Sequence, residues 1–237
     1  LSWDAELTFM QVANNMTGVW LGDPGVVYAS LRNHPEFRRL FGDHAQRLLF
    51  NGGALTPGPC VDRWMKRAQE IDLGLISESA RWGITNYWTP AGGFITHDTW
   101  LQEQNFLLTN WFPQRTDILI AQLRSAGMYP PLAAPVFSPH GGTITESLSV
   151  TIAWPPGTVL YCTTNGSDPR LPDGGVSPEA QVYDQGSATT LVLTDDTELR
   201  ARAFATNTWS ALVEASYLRS NEPYVRIDGV SYRSDGA

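Results

Sequence analysis

The sequence predicts a multidomain protein of the α plus all-β class, in which an N-terminal helical region packs next to a C-terminal antiparallel β-sandwich. Apolar residues recur at helical spacing before about residue 130 and alternate as in strands after it. Closely spaced prolines at 130, 131 and 135 cannot continue a helix and mark the joint. We therefore assign residues 1–132 to a helical region and 133–218 to the sandwich. Residues 219–237 form a tail or the truncated start of a following domain.

Composition excludes several classes of protein. The 237 residues are 42% hydrophobic, which is enough apolar content for a buried core. The formal net charge is -8 and Lys66 is the only lysine, so we expect no binding to nucleic acid. No apolar run approaches the roughly 20 residues that span a bilayer, so no membrane span is expected. A signal peptide is absent from this chain.

Four helical segments follow from the apolar spacing and from residues that start or stop helices. Asn51-Gly52-Gly53 supplies the left-handed positions that end a helix, and Thr96 is a good N-cap for a helix that starts at His97. Pro113 either kinks that last helix or starts a new segment, which then continues to Gly127. The predicted helices cover residues 24–32, 35–50, about 61–82 and 97–126.

Short strands fill the second half of the chain. They are predicted at residues 143–153, 159–164, 189–193, 198–205 and 211–217, with Gly, Pro and Asp between them. About 85 residues arranged in this way are typical of an immunoglobulin-like or fibronectin-like sandwich. In the fourth strand, Leu199 and Ala201 alternate with Arg200 and Arg202, so we expect the arginines on a solvated face. Tyr224-Val225-Arg226-Ile227 predicts one added strand followed by a tail.

The β region carries the motif Tyr161-Cys162-Thr163-Thr164-Asn165-Gly166-Ser167-Asp168-Pro169. Together with Phe137-Ser138-Pro139 and the later Leu199-Arg200-Ala201-Arg202-Ala203-Phe204, it resembles the chitobiase/β-hexosaminidase C-terminal type module over residues 134–218. Asn165-Gly166 is a tight-turn signal and Asp168-Pro169 fixes the chain that leaves the turn, so the motif is mainly structural. The resemblance implies no glycosidase activity, because the paired carboxylates of that chemistry belong to a separate domain.

The helical region carries a second set of motifs. They are Asn33-His34-Pro35-Glu36-Phe37-Arg38-Arg39-Leu40-Phe41, Phe50-Asn51-Gly52-Gly53-Ala54-Leu55-Thr56-Pro57, Glu78-Ser79-Ala80-Arg81-Trp82-Gly83 and Phe112-Pro113-Gln114-Arg115-Thr116. These segments resemble the C-terminal portion of the CotH kinase family, whose large secreted bacterial members often join such a region to the hexosaminidase-type module. The resemblance implies a secreted or cell-surface protein.

Trp3-Asp4-Ala5-Glu6 is the best chemical candidate in the sequence. Two carboxylates two residues apart on an extended strand point to one side, which suits a divalent cation. The segment is similar to a metal-binding element of the CotH kinases, and this resemblance implies that Asp4 holds magnesium for ATP and that Glu6 assists.

The other parts of a kinase are missing from the chain. Phosphoryl transfer also needs a phosphate loop or basic group and a catalytic carboxylate. We therefore expect no kinase activity and no cofactor in this chain. The resemblance implies that Mg and ATP belong to an intact parent protein, in which an upstream kinase-like lobe would be the partner of this region.

A binding role is the alternative from another class. Trp154, Trp209, Tyr161 and Tyr183 are candidates for an exposed aromatic face that stacks on a polysaccharide or cell-surface glycan, and core packing is the competing interpretation. Asp168, Asp173 and Asp184 are candidate calcium ligands, and the competing interpretation is that they are solvated residues of turns. Cys60 and Cys162 match no metal motif, and unpaired thiols are the favoured interpretation.

The leading hypothesis is a non-catalytic C-terminal fragment of a CotH-kinase-like extracellular protein, with the sandwich as a spacer or attachment module.

Overall fold

The protein is a mixed α plus β structure. A computed structural model describes residues 9, 11–18, 25–83, 95–220, 224–227 and 230–233. The chain divides into two compact units, the first formed by Leu1–Val19 with Leu48–Ala126 and the second by Trp20–Arg47 with Gly127–Ala237. This division differs from the predicted boundary after residue 132, because residues 20–47 belong to the second unit. In the part of the chain that is described, no helix has both the length and the apolar character needed to span a bilayer.

The helices follow the sequence prediction closely. They are α1 (Gly25–Leu31), α2 (Pro35–Leu49), α3 (Pro57–Trp82), α4 (His97–Phe106) and α5 (Phe112–Ser125). The predicted N-cap at Thr96 is confirmed, since its side chain accepts a hydrogen bond from the Thr99 backbone N–H in a capping box. A π-helical segment, Leu107–Trp111, separates α4 from α5, so Pro113 lies in the first turn of a new helix.

An aromatic cluster forms the core of the first unit. Phe9 lies 5.0 Å from Trp64 and 4.8 Å from Trp111, measured between ring centroids, and Phe112 lies 5.3 Å from Trp111. These edge-on contacts bury rings from α3, the π-helical segment and α5 against one another. The Trp64 indole donates a 2.6 Å hydrogen bond to Gln104 Oε1, which pairs a polar group within the cluster.

Eleven strands are present among the described residues. They are β1 (Val136–Ser138), β2 (Gly142–Ile144), β3 (Leu148–Ala153), β4 (Val159–Thr163), β5 (Gln181–Tyr183), β6 (Ala188–Leu193), β7 (Thr197–Ala205), β8 (Thr208–Trp209), β9 (Val213–Arg219), β10 (Tyr224–Ile227) and β11 (Val230–Arg233). One sheet has the order β1-β3-β6 and a second has the order β2-β9-β7-β4-β5, with β8 paired to β7. All of these pairings are antiparallel except β2 with β9, which is parallel.

The first two sheets share one hydrophobic core. Val150 and Ile152 of β3 and Leu160, Leu199 and Tyr217 of the larger sheet are all fully buried in a single cluster. Leu199 and Ala201 point into this core, as the alternation along β7 predicts. Because every second residue of these strands is apolar, the two sheets bury those faces against each other.

The last strands correct the prediction for the C-terminal stretch. Tyr224–Ile227 pairs in antiparallel register with Val230–Arg233, and Ile227 lies opposite Val230. The prediction of one added strand and a tail was therefore wrong, because the segment forms a two-stranded hairpin. The two residues between the strands, Asp228-Gly229, are a hairpin-turn signal in the sequence.

Within the second unit, residues 35–47 of α2 pack closely on the chain that leads into the sheets. Gly42 makes this approach possible, since a Cβ added there would lie 2.9 Å from Pro130 Cδ. The Tyr129 hydroxyl donates a hydrogen bond to the amide oxygen of buried Gln46. Asp43 accepts a 2.8 Å hydrogen bond from the backbone N–H of Leu212. These contacts bring the acidic and basic residues of α2 to the larger sheet.

Candidate functional site

The most strongly organised polar site in the second unit surrounds Arg202 of β7. Arg202 is fully buried, with 0% of its surface exposed. The prediction of a solvated face on this strand is therefore wrong at Arg202, although Arg200 on the same face is partly exposed. The alternation of side chains is as predicted, but α2 and the turn before Pro169 cover the outer face.

All five N–H donors of the Arg202 guanidinium are occupied. Asp43 accepts from Nη1 at 2.8 Å and from Nη2 at 2.7 Å, and Asp168 accepts from Nε at 2.8 Å and from Nη2 at 2.7 Å. The fifth donor is satisfied by the Ser210 carbonyl at 2.9 Å. Two bidentate carboxylates on one guanidinium form the strongest geometry available to arginine, and no donor is left for a substrate.

Further charged side chains extend the pair into an ionic cluster. Arg39 bonds Glu36 at 2.7 Å and Asp43 at 2.9 Å, and Arg170 bonds Glu36 at 2.7 Å. The ionic cluster consists of Glu36, Arg39, Asp43, Asp168, Arg170 and Arg202. Three carboxylates balance three guanidiniums, so the burial of charge is compensated within the group.

Protonation of the cluster is biased toward the charged forms. Burial by itself would raise the pKa of the Asp168 carboxyl, but the hydrogen bonds and charge of Arg202 outweigh it and hold that pKa below its ordinary value. For Glu36 the desolvation effect is likewise outweighed, here by Arg170 and Arg39, and its pKa is also lowered. Burial opposes the charge of Arg202, but Asp168 and Asp43 raise its pKa above the ordinary arginine value. The site is thus a stable ion cluster and not an acid–base pair.

The turn that places Asp168 is built by its own sequence. Asn165 Oδ1 accepts hydrogen bonds from the backbone N–H and hydroxyl of Ser167 at 3.0 and 2.7 Å. Gly166 has φ of +77°, a left-handed value that glycine adopts without strain. The candidate role as a calcium ligand does not fit Asp168, because both of its carboxylate oxygens accept hydrogen bonds from Arg202. Among the described residues, no group of three or more His, Cys, Asp or Glu side chains is arranged to hold a metal ion.

The predicted metal ligands Asp4 and Glu6 lie outside the described residues. The four predicted carbohydrate-binding residues fall into two separate pairs. Trp154 is 5% exposed and lies 6.1 Å from Tyr183, on the side of the core shared by the two sheets. A buried ring is closed to a sugar, so the stacking prediction does not extend to Trp154.

The other pair lies on the outer face of the larger sheet. Trp209 of β8 lies 5.2 Å from Tyr161 and 4.7 Å from Phe204, and its indole donates to the Gly174 carbonyl at 3.1 Å. We call Tyr161, Phe204 and Trp209 the outer aromatic patch, and all three residues are partly exposed. The sequence prediction missed Phe204, although its place two residues after Arg202 assigns it to the same face.

Comparison with known proteins identifies no family. No protein-family model matches the sequence, and no curated protein matches it significantly. One solved structure with some likeness is the sulfur carrier protein SoxY from Chlorobium limicola f thiosulfatophilum, at 16% sequence identity. That match covers 41% of this chain and 92% of SoxY with a TM-score of 0.21, and at this value the likeness supports no conclusion about fold or activity.

Proposed function

We propose that the chain is a non-catalytic C-terminal portion of a CotH-kinase-like extracellular or cell-surface protein. In this proposal the β-sheet region is an immunoglobulin-like or fibronectin-like sandwich of the chitobiase/β-hexosaminidase C-terminal type, and it acts as a spacer or attachment module. An upstream kinase-like lobe would hold ATP and magnesium, with Asp4 and Glu6 among the metal ligands.

The ionic cluster is the observation that carries this proposal. Glu36 and Arg39 come from the segment that resembles CotH kinases, whereas Asp168 and Arg202 come from two motifs of the hexosaminidase-type module. Residues that lie far apart along the chain are thus partners in one neutral group of charges. A cluster with every Arg202 donor occupied is suited to holding α2 against the sheet, and Arg202 has no free donor for a substrate.

The kinase-fragment proposal is tested by restoring sequence upstream of Leu1. We expect the longer protein, with Mg²⁺ and radiolabelled ATP, to incorporate phosphate, and the 237-residue chain to incorporate none. Asp4→Ala in the longer protein should abolish labelling, because the resemblance assigns this carboxylate to the metal. Asp62→Ala is the matched control, since Asp62 is an exposed carboxylate on α3. A folded longer protein that is never labelled, or an Asp4→Ala variant labelled normally, would contradict the proposal.

A second candidate function is carbohydrate binding, and the outer aromatic patch favours it. Sugar rings stack on aromatic faces, and Tyr161, Phe204 and Trp209 lie together on one sheet surface. The test is co-sedimentation with insoluble polysaccharides and a glycan array. We expect Trp209→Ala to remove any bound signal and Trp82→Ala to preserve it, since Trp82 is a 62% exposed tryptophan of the first unit. Binding that survives Trp209→Ala in a folded protein would exclude the patch.

A further inference from the structure

The first unit contains an open-sided cavity of about 140 Å³ that neither proposed function uses. Its walls are mainly apolar, and the apolar lining comprises Leu49, Leu55, Pro57, Phe112 and Leu119. A volume of about this size is large enough for a molecule as large as benzene. The size and walls of the cavity therefore suit a small, mostly apolar ligand.

Trp111 gives the cavity one unusual polar feature. This residue lines the cavity and is only 9% exposed, yet its indole Nε1 has no hydrogen-bond partner among the described residues. The neighbouring Trp64 in the same aromatic cluster does have a partner, the side-chain oxygen of Gln104. Buried N–H groups are nearly always paired, so an unpaired donor at a cavity wall indicates a missing acceptor.

The backbone around Trp111 is also unusual. Trp111 is the last residue of the π-helical segment Leu107–Trp111, and such insertions in α-helices occur frequently at functional sites. Two polar residues of the lining donate hydrogen bonds to backbone carbonyls. Thr116 Oγ1 donates to the Leu55 carbonyl at 2.8 Å, and Arg115 Nη1 donates to the carbonyls of Val12 and Asn14 at 2.8 and 3.0 Å.

We propose that this cavity binds a small neutral aromatic molecule carrying one hydrogen-bond acceptor oxygen, which accepts from the indole N–H of Trp111. A neutral ligand is favoured because the walls are mainly apolar, and Arg115, the charged residue of the lining, already donates to two backbone carbonyls. The acceptor oxygen is included because the indole N–H of Trp111, a residue of the lining, has no partner among the described residues, and a pure hydrocarbon would leave it unpaired.

Cys60 provides a direct measurement of occupancy. It lines the cavity and is partly exposed, whereas Cys162 is fully buried and burial raises the pKa of its thiol to about 11. Iodoacetamide at pH 8 should therefore alkylate Cys60 in the folded chain and spare Cys162, which serves as an internal control for folding. Peptide mass spectrometry gives the alkylation rate at each thiol separately.

The test compares acetophenone with α-methylstyrene, which has nearly the same shape but carries a methylene group in place of the oxygen. We expect acetophenone to slow alkylation of Cys60 with a half-maximal concentration about fivefold lower than that of α-methylstyrene, as one net hydrogen bond predicts. Trp111→Phe keeps a ring and removes the N–H, so the two compounds should then protect equally. Equal protection in the unchanged protein, or no protection by either compound, would overturn the proposal without reliance on any variant.

Discussion

The two compact units bury their apolar residues to different degrees. In the β-sheet region of the second unit, Val150, Leu160 and Tyr217 have no exposed surface, and even an arginine is fully enclosed. In the first unit, α3 keeps Leu73 80% and Trp82 62% exposed, and Ala68 is its buried residue. Strands with a period of two bury one complete face against a second sheet, while a long helix buries only the stripe that meets a neighbour. The β-sheet region of the second unit therefore encloses its apolar side chains more completely than α3 of the first unit does.

Removal of the Arg202 charge should give the largest loss of stability, and it tests how strongly ion pairing stabilises the second unit. Arg202→Met leaves Asp43 and Asp168 without their shared cation, and we expect the free energy of unfolding to fall by about 3–5 kcal/mol. The control is Arg200→Met, which removes a partly exposed arginine that contacts Glu214 at 3.3 Å and should cost less than about 1 kcal/mol. Urea denaturation of the full chain, followed by far-UV circular dichroism, measures both. Similar losses for the two variants would contradict the role given to the ionic cluster.

A pair of glycine substitutions compares close packing in the two units directly. Gly42→Ala should destabilise by about 1–3 kcal/mol, because the new Cβ would lie 2.9 Å from the stiff ring of Pro130. Gly74→Ala in α3 has no atom within 4 Å of the new Cβ and should stabilise by about 0.5–1 kcal/mol, since alanine favours a helix. Thermal and urea unfolding give the sign of each change. Two changes of the same sign would remove this difference between the units.

Acid should weaken the second unit through its carboxylates. The pKa of Asp168 and of Glu36 is lowered in the folded protein, against the effect of burial, by arginine partners. Their stabilising contribution is therefore fully present above the carboxyl pKa of the unfolded chain, which is about 4. It is lost as the pH falls through the lower pKa values of the folded protein. The urea midpoint measured from pH 7 to pH 2 should decline in this range. Asp168→Asn should show a shallower decline, and an unchanged pH profile in that variant would exclude Asp168 as a contributor.

The reactivity of the two thiols should show the difference in packing between the units in the unchanged, folded protein. Cys60 of the first unit is partly exposed, and Cys162 lies in the core shared by the two sheets with a pKa raised by burial to about 11. A disulfide reagent at pH 8 should therefore release one thiol per folded chain and two in concentrated urea. The folded Cys60→Ser variant should release no thiol from the reagent. Fast reaction of Cys162 in the folded chain would show that the core opens more readily than its burial indicates.

Local signals predicted most of the secondary structure. Thr96 was expected to cap a helix and does so, because a cap depends on a few neighbouring residues. The alternation along β7 correctly predicted that Leu199 and Ala201 lie in the core. The β10 and β11 hairpin was missed, since the strand prediction did not use the turn signal Asp228-Gly229 between two short apolar runs.

The candidate sites were harder to predict than the elements. Trp154 directly follows β3 and Trp209 lies in β8, yet Trp154 is buried between the sheets and Trp209 lies on an outer face. Composition does not separate these outcomes, because each depends on which element covers the residue. The cluster around Arg202 joins Asp43 to residues more than 120 positions later, and no local pattern relates them.

Local patterns in the sequence predicted the helices, the strands β4, β6, β7 and β9, the Asn165-Gly166 turn and the orientation of side chains along β7, because each depends on the periodicity or conformational preferences of nearby residues. They did not predict β1, β5 or β8, and the one strand predicted at 143–153 is divided into β2 and β3, which lie in different sheets. The tertiary structure alone decided that Arg202 is buried, that Asp43 and Asp168 share it, and that Tyr161, Phe204 and Trp209 form one patch. An arginine exposes or buries its charge according to whether carboxylates from distant segments reach it, and only the complete fold brings those segments together.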